Sequence, residues 1–150
     1  MSKDDHVTFI DARTYKTFHT IEEAVQTNQL IWSHSGNALL ITTGEGRVRI
    51  LSYPEFEPLY TINAHTSACF CLEMDPRGKY LAVGGSDALV SLWDTQDWMC
   101  KHTLGHMEGP LRSVAFSWDG SYVVGGSDEG TGLEIVSFYP LGSLPPLYCW

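Results

Sequence analysis

The sequence predicts an all-β fold built from a repeated unit of about 42 residues. Three observations carry this prediction: short segments with alternating apolar residues, polar turns that end in glycine, and a constant spacing between those turns. The turns end at Gly36, Gly78 and Gly120, so that neighbouring turns lie 42 residues apart. Glycine suits these positions because it accepts the positive φ of a tight turn.

Each repeat contains up to four short apolar segments, which predict four strands. The first strand precedes the glycine turn and keeps one apolar face, as in Leu30, Leu72 and Val114. The second strands are predicted at Ala38–Ile41, Tyr80–Val83 and Tyr122–Val124, the third at Val48–Leu51, Leu89–Trp93 and Leu133–Val136, and the fourth at Leu59–Ile62 and Cys100–Leu104. Four short strands per repeat, joined by tight turns, are typical of a β-propeller blade.

The N-terminal segment fits the same period but carries one competing signal. Residues 7–11 lie 41 positions before residues 48–52, which predicts a third strand, and Thr20-Ile21 falls on a fourth. The stretch Thr20-Ile21-Glu22-Glu23 also has the pattern of a capping box that opens a short helix. We favour the strands, because many columns support the repeat and two residues support the capping box.

The period divides the chain into about three to four antiparallel blades of an unclosed propeller. We expect a partial blade of two strands at 1–23, blades at 24–64 and 65–105, an incomplete blade at 106–138 and a non-propeller tail at 139–150. Propellers close with roughly 4–8 blades, so this arc is too short to close. The tail contains three prolines, which remove donors from a strand ladder. A truncated or mis-spliced gene model explains such a tail better than a designed cap.

Composition and charge disfavour several classes of function. No apolar run reaches the ~18–20 residues of a membrane helix, and the polar N-terminus lacks the apolar segment of a signal peptide. Nine Lys and Arg stand against 18 Asp and Glu, which gives a net charge of -9. Binding of nucleic-acid phosphates requires clustered Lys and Arg, and none cluster here. RNA is therefore expected to be contacted indirectly at most.

The four cysteines, Cys69, Cys71, Cys100 and Cys149, match no zinc pattern. On a strand, the C-x-C spacing of Cys69 and Cys71 is expected to point both thiols to the same face. No second pair lies nearby, so we expect reduced, buried cysteines of an intracellular protein rather than a metal site.

Two dipeptides resemble the WD40 family. Trp93-Asp94 matches the dipeptide that names the family, and Gly105-His106 matches the other half of its repeat, with Ala64-His65 and Ile10-Asp11 as weaker copies. In combination with the 42-residue period, the resemblance implies that each blade contains a hydrogen-bonded network of His, Asp, a hydroxyl and Trp. The residues that match this structural network are His65, Asp87, Trp93, Asp94, His106 and Asp128.

The network is expected to be weakened in this chain. The position at which a hydroxyl is usual reads Val83-Gly84-Gly85, with Ser86 displaced, and Val136 stands where the next blade needs Trp. A His, an Asp and a hydroxyl also make up a hydrolase triad, but no nucleophile elbow or oxyanion donors accompany them. We therefore expect no catalytic residue.

Two further patterns resemble ligand sites and are not expected to be such. Residues 126–132 are glycine-rich, but a phosphate cradle needs a helix behind it and a strand follows here. His102 and His106 have the spacing of a helical metal pair, yet they lie across a strand end and a turn. The sequence thus predicts neither a cofactor nor a metal.

Within the WD40 family, four strings resemble the WD40 subunits of the nuclear THO complex, at residues 51–55, 62–65, 75–80 and 86–94. This resemblance implies a non-enzymatic nuclear scaffold in mRNA processing and export, with the protein subunits of a multi-protein complex as partners. It implies no membrane and no small-molecule substrate, and the sequence carries no targeting signal. The alternatives are another WD40 adaptor, in a ubiquitin-ligase or chromatin complex, and, less favoured, a propeller hydrolase.

Partners are expected to bind the loops at the two ends of the propeller and the rims of the blades. The candidate loops are Ser33–Asn37, Asp75–Lys79 and Ser117–Ser121 at one end, and Asn63–Thr66 and Gly105–Pro110 at the other.

Overall fold

The computed structural model describes residues 5–105, 107–127 and 133–137, the last range by its backbone. These residues form thirteen strands in four sheets. The first sheet contains β1 (Asp5–Ile10) and β2 (Thr17–Glu23); the second β3 (Thr27–Trp32), β4 (Ala38–Thr43), β5 (Arg47–Ser52) and β6 (Pro58–Asn63); the third β7 (Cys69–Met74), β8 (Tyr80–Gly85), β9 (Val90–Asp94) and β10 (Cys100–Leu104); and the fourth β11 (Leu111–Phe116), β12 (Tyr122–Ser127) and β13 (Leu133–Ser137).

Within each sheet the strands follow one another in chain order, and every pair is antiparallel. The predicted all-β fold of four-stranded antiparallel sheets in an unclosed arc is confirmed. Residues 20–23 belong to β2 and pair with β1, in the register His6↔Glu22 and Asp5↔Glu23, so the alternative helix does not form. Pairing with β1 satisfies backbone groups that an isolated helical turn would leave open.

The turn after the first strand has the same geometry in three sheets. Its glycine has a φ between 70° and 73°, and its N–H donates to the carbonyl three residues earlier at 2.9 Å, in the pairs Gly36–Ser33, Gly78–Asp75 and Gly120–Ser117. The earlier residue of each pair also accepts, through its side chain, the backbone N–H that opens the second strand, in Ala38, Tyr80 and Tyr122. The geometry of these turns therefore explains why glycine recurs at an interval of 42 residues.

The sheets pack face to face, and the core lies between them. β7 contacts both β3 and β11, so the first strands of neighbouring sheets lie side by side. Every residue of β4 and of β8 is buried, because each of these strands packs on both faces. In β8, Leu81 and Val83 contact the second sheet, whereas Tyr80 and Ala82 contact the fourth.

Two side-chain amides tie the first strands of the second and third sheets together. Asn28 Nδ2 donates to the Cys69 carbonyl at 2.7 Å, and Gln29 Oε1 accepts the Leu72 N–H at 3.0 Å. These hydrogen bonds satisfy backbone groups of β7 on the side where it faces β3, and they link the two sheets.

The expectation that Cys69 and Cys71 share a face is wrong. The register of β7 against β8 shifts between these residues, and the extra residue turns the two thiols to opposite faces. Cys69 packs in the core between the second and third sheets, and Cys71 packs between the third and fourth. Burial raises the pKa of Cys69 to about 12 and that of Cys71 to about 11. Both are free thiols, as is the exposed Cys100, whereas Cys149 lies outside the described residues.

We expect iodoacetamide at pH 8 to alkylate Cys100 and to leave Cys69 and Cys71 unmodified until denaturant is added. The thiolate is the reactive form, and pKa values of about 12 and 11 keep both buried groups protonated at this pH. Peptide mass mapping after timed labelling measures each site separately. Alkylation of Cys71 at the rate of Cys100 in the native protein would contradict the opposed, buried placement.

Candidate functional site

A buried hydrogen-bonded network joins three segments of the third sheet. The His65 side chain is 1% exposed, and its Nδ1 lies 2.9 Å from Asp87 Oδ2. Its Nε2 lies 3.0 Å from Ser91 Oγ and 3.1 Å from the Val83 carbonyl. The indole N–H of Trp93 donates to Ser91 Oγ at 2.8 Å. The four side chains therefore connect residues 64–68, the turn between β8 and β9, and β9 itself.

One tautomer of His65 satisfies the whole chain of donors. With the proton on Nδ1, the imidazole donates to the Asp87 carboxylate and its Nε2 accepts from the Ser91 hydroxyl. The Ser91 oxygen in turn accepts the Trp93 N–H. Each buried polar group thereby gains a partner, which removes the penalty for burying it.

Local structure explains how these side chains meet. Ser91 and Trp93 lie two residues apart on β9 and so share a face. The backbone N–H of His65 donates to the Gly46 carbonyl at 3.0 Å, which anchors the histidine on the turn of the neighbouring sheet. Gly85 leaves room for the imidazole, since a Cβ there would lie 2.8 Å from His65 Cγ and 2.5 Å from Asp87 Oδ1.

The structure brings together His65, Asp87 and Trp93 but corrects the expected hydroxyl. The expectation of a displaced hydroxyl at Ser86 is wrong, because Ser91 of the third strand supplies it. Asp94 lies outside this network: its Oδ1 accepts the Gln96 N–H at 2.9 Å, and its Oδ2 lies 3.9 Å from Lys101 Nζ. His106 and Asp128 lie outside the described residues.

Burial decides what this arrangement can do chemically. Ser91 is 1% exposed, and its oxygen is engaged by both Trp93 and His65. A hydrolase nucleophile must reach a substrate carbonyl, whereas this hydroxyl faces the interior between two sheets. The network therefore stabilises the sheet from within.

The equivalent positions one repeat earlier form an ion pair that the sequence reasoning missed. Glu23 lies 42 residues before His65, and Arg49 lies 42 residues before Ser91. Arg49 Nη1 contacts Glu23 Oε2, and the Glu23 side chain is 1% exposed. Glu23 Oε1 is buried without a hydrogen-bond partner. The 42-residue spacing indicates this pair, because it aligns Glu23 with His65 and Arg49 with Ser91.

The described residues contain neither a metal-binding cluster nor a helix that could span a membrane. Among residues 5–105 and 107–127 and the short segment 133–137, no group of three or more His, Cys, Asp or Glu side chains is placed to hold a metal ion. Within the same described part of the chain, no helix is long and apolar enough to cross a membrane.

The loops after the first strands form one continuous surface. A Cβ on Gly78 would lie 2.5 Å from His34 Cβ, so the loop of the third sheet presses on that of the second. The Arg77 guanidinium donates to the Asp119 carbonyl, which links the third sheet to the fourth. The indole of Trp118 in the last of these loops is 92% exposed.

Comparisons with known proteins agree with this geometry. The family model "WD domain, G-beta repeat" matches residues 56–94 and 98–131. The solved structure of the RRP9 WD40 repeats has a TM-score of 0.69 at 17% identity, covering 77% of this chain and 36% of that one. The chain therefore belongs to the WD40-repeat family, and its sheets are blades of a β-propeller.

Two curated relatives are similar to this chain over most of its length. The chain is 40% identical over 128 residues to THO complex subunit 3 of Arabidopsis thaliana, covering 85% of this chain and 41% of that protein. It is 36% identical over 124 residues to WD repeat-containing protein AAC3 of Dictyostelium discoideum, covering 79% of this chain and 26% of that protein. The chain thus spans less than half the length of either relative.

Replacement of Ser91 by alanine should lower the free energy of unfolding by about 1–3 kcal/mol, because it leaves Trp93 Nε1 and His65 Nε2 buried without this partner. The control Ser86→Ala removes a hydroxyl outside the network and should change stability by about 0.5 kcal/mol or less. Urea unfolding followed by tryptophan fluorescence measures both. Equal losses in the two variants would contradict the assignment of Ser91.

The ion pair predicts a coupling between Glu23 and Arg49. Arg49→Met should destabilise the protein by about 1–3 kcal/mol, because the Glu23 side chain is left buried without its partner, and Glu23→Leu combined with Arg49→Met should recover part of that loss. Glu45→Gln, in the exposed pair with Arg47 at 3.1 Å, serves as the control and should cost about 0–1 kcal/mol. A double-mutant cycle in urea measures the coupling, and strict additivity would contradict it.

Proposed function

We propose that this chain is a non-enzymatic scaffold unit of a THO-type nuclear assembly and that it acts in mRNA processing and export through protein contacts. The observation that carries the proposal is its 40% identity to THO complex subunit 3 over 85% of its length. The strings that resemble the THO subunits, at 51–55, 62–65, 75–80 and 86–94, lie in strands of the second and third sheets and in the loops beside them.

The use of polar groups within the blades supports a binding role over catalysis. The triad-like residues His65, Asp87 and Ser91 are occupied by one another and by Trp93. Chemistry on a substrate would require breaking this buried network, whereas binding at the loops leaves it intact. Regular sheets that position exposed loops are an arrangement suited to a scaffold.

The surface supports proteins as partners. Trp32, Tyr53 and Trp118 are exposed near the loops that follow the first and third strands, at 45%, 38% and 92%. Exposed aromatic side chains of this kind are enriched at protein interfaces. The net charge of -9 suits contacts with basic partner segments and leaves RNA to those partners.

The proposal is tested by affinity purification of the tagged 150-residue chain from a nuclear extract, with mass spectrometry of the bound proteins. We expect THO subunits in the eluate and a nuclear signal for a fluorescent fusion. Recovery of cullins or of histones without THO subunits would support the ubiquitin-ligase or chromatin adaptor instead. The tag alone and the Ser91→Ala variant, whose loops are unchanged in sequence, serve as controls.

A further inference from the structure

A cavity of about 360 Å³ opens at the end of the arc opposite the loops that follow the first strands. It lies between the segment that joins β2 to β3 and the turn that joins β4 to β5. The charged side chains that line it are three carboxylates and two guanidinium groups, those of Glu22, Glu23, Glu45, Arg47 and Arg49. The cavity therefore belongs to the end of the arc at which Asn63–Thr66 is a candidate loop for partner binding.

One carboxylate oxygen of this cavity has no hydrogen-bond donor. The Glu23 side chain is 1% exposed, and Arg49 Nη1 contacts its Oε2, whereas its Oε1 is buried without a partner among the described residues. Asp5 lies opposite Glu23 on β1, and its Oδ2 accepts the Thr27 N–H at 2.7 Å, so β1 adds an acid and no donor. A buried acceptor without a donor is costly, so the site favours a ligand that brings one.

The third sheet shows which kind of donor is missing. Glu23, Glu45 and Arg49 lie 42 residues before His65, Asp87 and Ser91. In the third sheet the imidazole Nδ1 of His65 lies 2.9 Å from Asp87 Oδ2. In the second sheet two carboxylates take these two positions, and ionised carboxylates only accept hydrogen bonds. The second sheet therefore lacks the N–H donor that joins the equivalent positions of the third.

The charges around the cavity leave one carboxylate over. Arg49 contacts Glu23, and Arg47 Nη1 lies 3.1 Å from Glu45 Oε2. Glu22 is exposed and forms no ion pair within the described part of the chain. Three carboxylates against two guanidinium groups leave one negative charge, which a single incoming cation would balance.

An ammonium group fits this site better than a guanidinium group or a metal ion. A guanidinium pairs best with both oxygens of one carboxylate, but Arg49 already occupies Glu23 Oε2. These carboxylates are not placed to hold a metal ion, as is true of every such cluster in the described ranges. An ammonium is a compact charge with three donors and needs only one oxygen of Glu23. The apolar stem of a lysine side chain suits the wall formed by Ala24 and Val25.

We propose that this cavity binds the ammonium group of a lysine side chain from a basic segment of a partner protein. The ammonium donates to Glu23 Oε1 and to the Glu45 carboxylate, in the place that the imidazole N–H of His65 has in the third sheet. Glu22 adds negative potential at the exposed side of the cavity. The assignment rests on the proposed scaffold function and deepens it by naming the chemistry of one partner.

The probe is an N-acetylated, C-amidated pentapeptide of sequence Gly-Ser-Lys-Ser-Gly, titrated into the ¹⁵N-labelled full chain at low ionic strength and followed in ¹H–¹⁵N correlation spectra. Two matched peptides carry Nε-acetyl-lysine or arginine in place of lysine. We expect saturable shifts of the backbone amides of residues 22–26 and 43–47 with the first peptide, and affinities at least about fivefold weaker for the other two. Absence of saturable shifts, which includes a water molecule as the sole donor to Glu23, or equal binding of either matched peptide, would overturn the proposal.

Variants test the same site from the protein side. Glu23→Leu combined with Arg49→Met removes one acid and one base, so it deletes the buried acceptor at constant net charge and should abolish the saturable shifts. Glu22→Gln should weaken the peptide affinity about twofold or more. The control Glu55→Gln makes the same charge change in the exposed loop between β5 and β6, outside the cavity, and should leave the affinity unchanged.

The two single variants change exposed side chains and keep the test valid if the double variant does not fold. Saturable binding by the folded double variant, or equal effects of Glu22→Gln and Glu55→Gln, would overturn the assignment of the cavity.

Purification from the nuclear extract separates this site from the proposed function. THO subunits that co-purify with the chain while the lysine peptide fails to bind would overturn the site and leave the proposed function standing. Peptide binding at residues 22–26 and 43–47 without THO subunits in the eluate would overturn the proposed function and leave the site standing.

Discussion

Face-to-face packing of neighbouring sheets is the interaction on which the rest of this structure depends. A strand such as β8 has no solvent side: Leu81 and Val83 contact one neighbouring sheet while Tyr80 and Ala82 contact the other. Such a strand is stable only between two further sheets, so each repeat requires the next. The same requirement keeps the repeat length constant, because each turn must return the chain to the next sheet at the same height.

The polar side chains that are buried between the sheets are paired in two chemically different ways. The third sheet uses a neutral chain of donors from Trp93 through Ser91 to His65, which ends on Asp87. One repeat earlier, Glu23 and Arg49 occupy equivalent positions as an ion pair. The network of the third sheet carries one carboxylate at its end, whereas the ion pair brings two charged groups together, and Trp93 adds apolar packing next to the core. The same position of the repeat is thus filled by chemically different polar groups.

Because the interior polar groups contact one another, the loops at the ends of the arc are the surfaces that we propose for partner binding. The interior groups are occupied by one another, and the loops after the first strands support each other through contacts such as Gly78 against His34 and Arg77 against Asp119. A cavity of about 310 Å³ beside Trp98 lies between the second and third sheets, next to these loops.

The sequence by itself determined the elements that depend on local chemistry. Glycines with positive φ, alternating apolar residues and the 42-residue columns were enough to predict the all-β fold and the order of the strands. The resemblance to WD40 repeats implied that His65, Asp87 and Trp93 meet. Only the tertiary structure decided the rest. A register shift in β7 separated Cys69 from Cys71, the shared face of β9 selected Ser91, and the ion pair of Glu23 with Arg49 joined residues of different sheets. These features depend on register and on distances between sheets, which the spacing of residues along one strand does not specify.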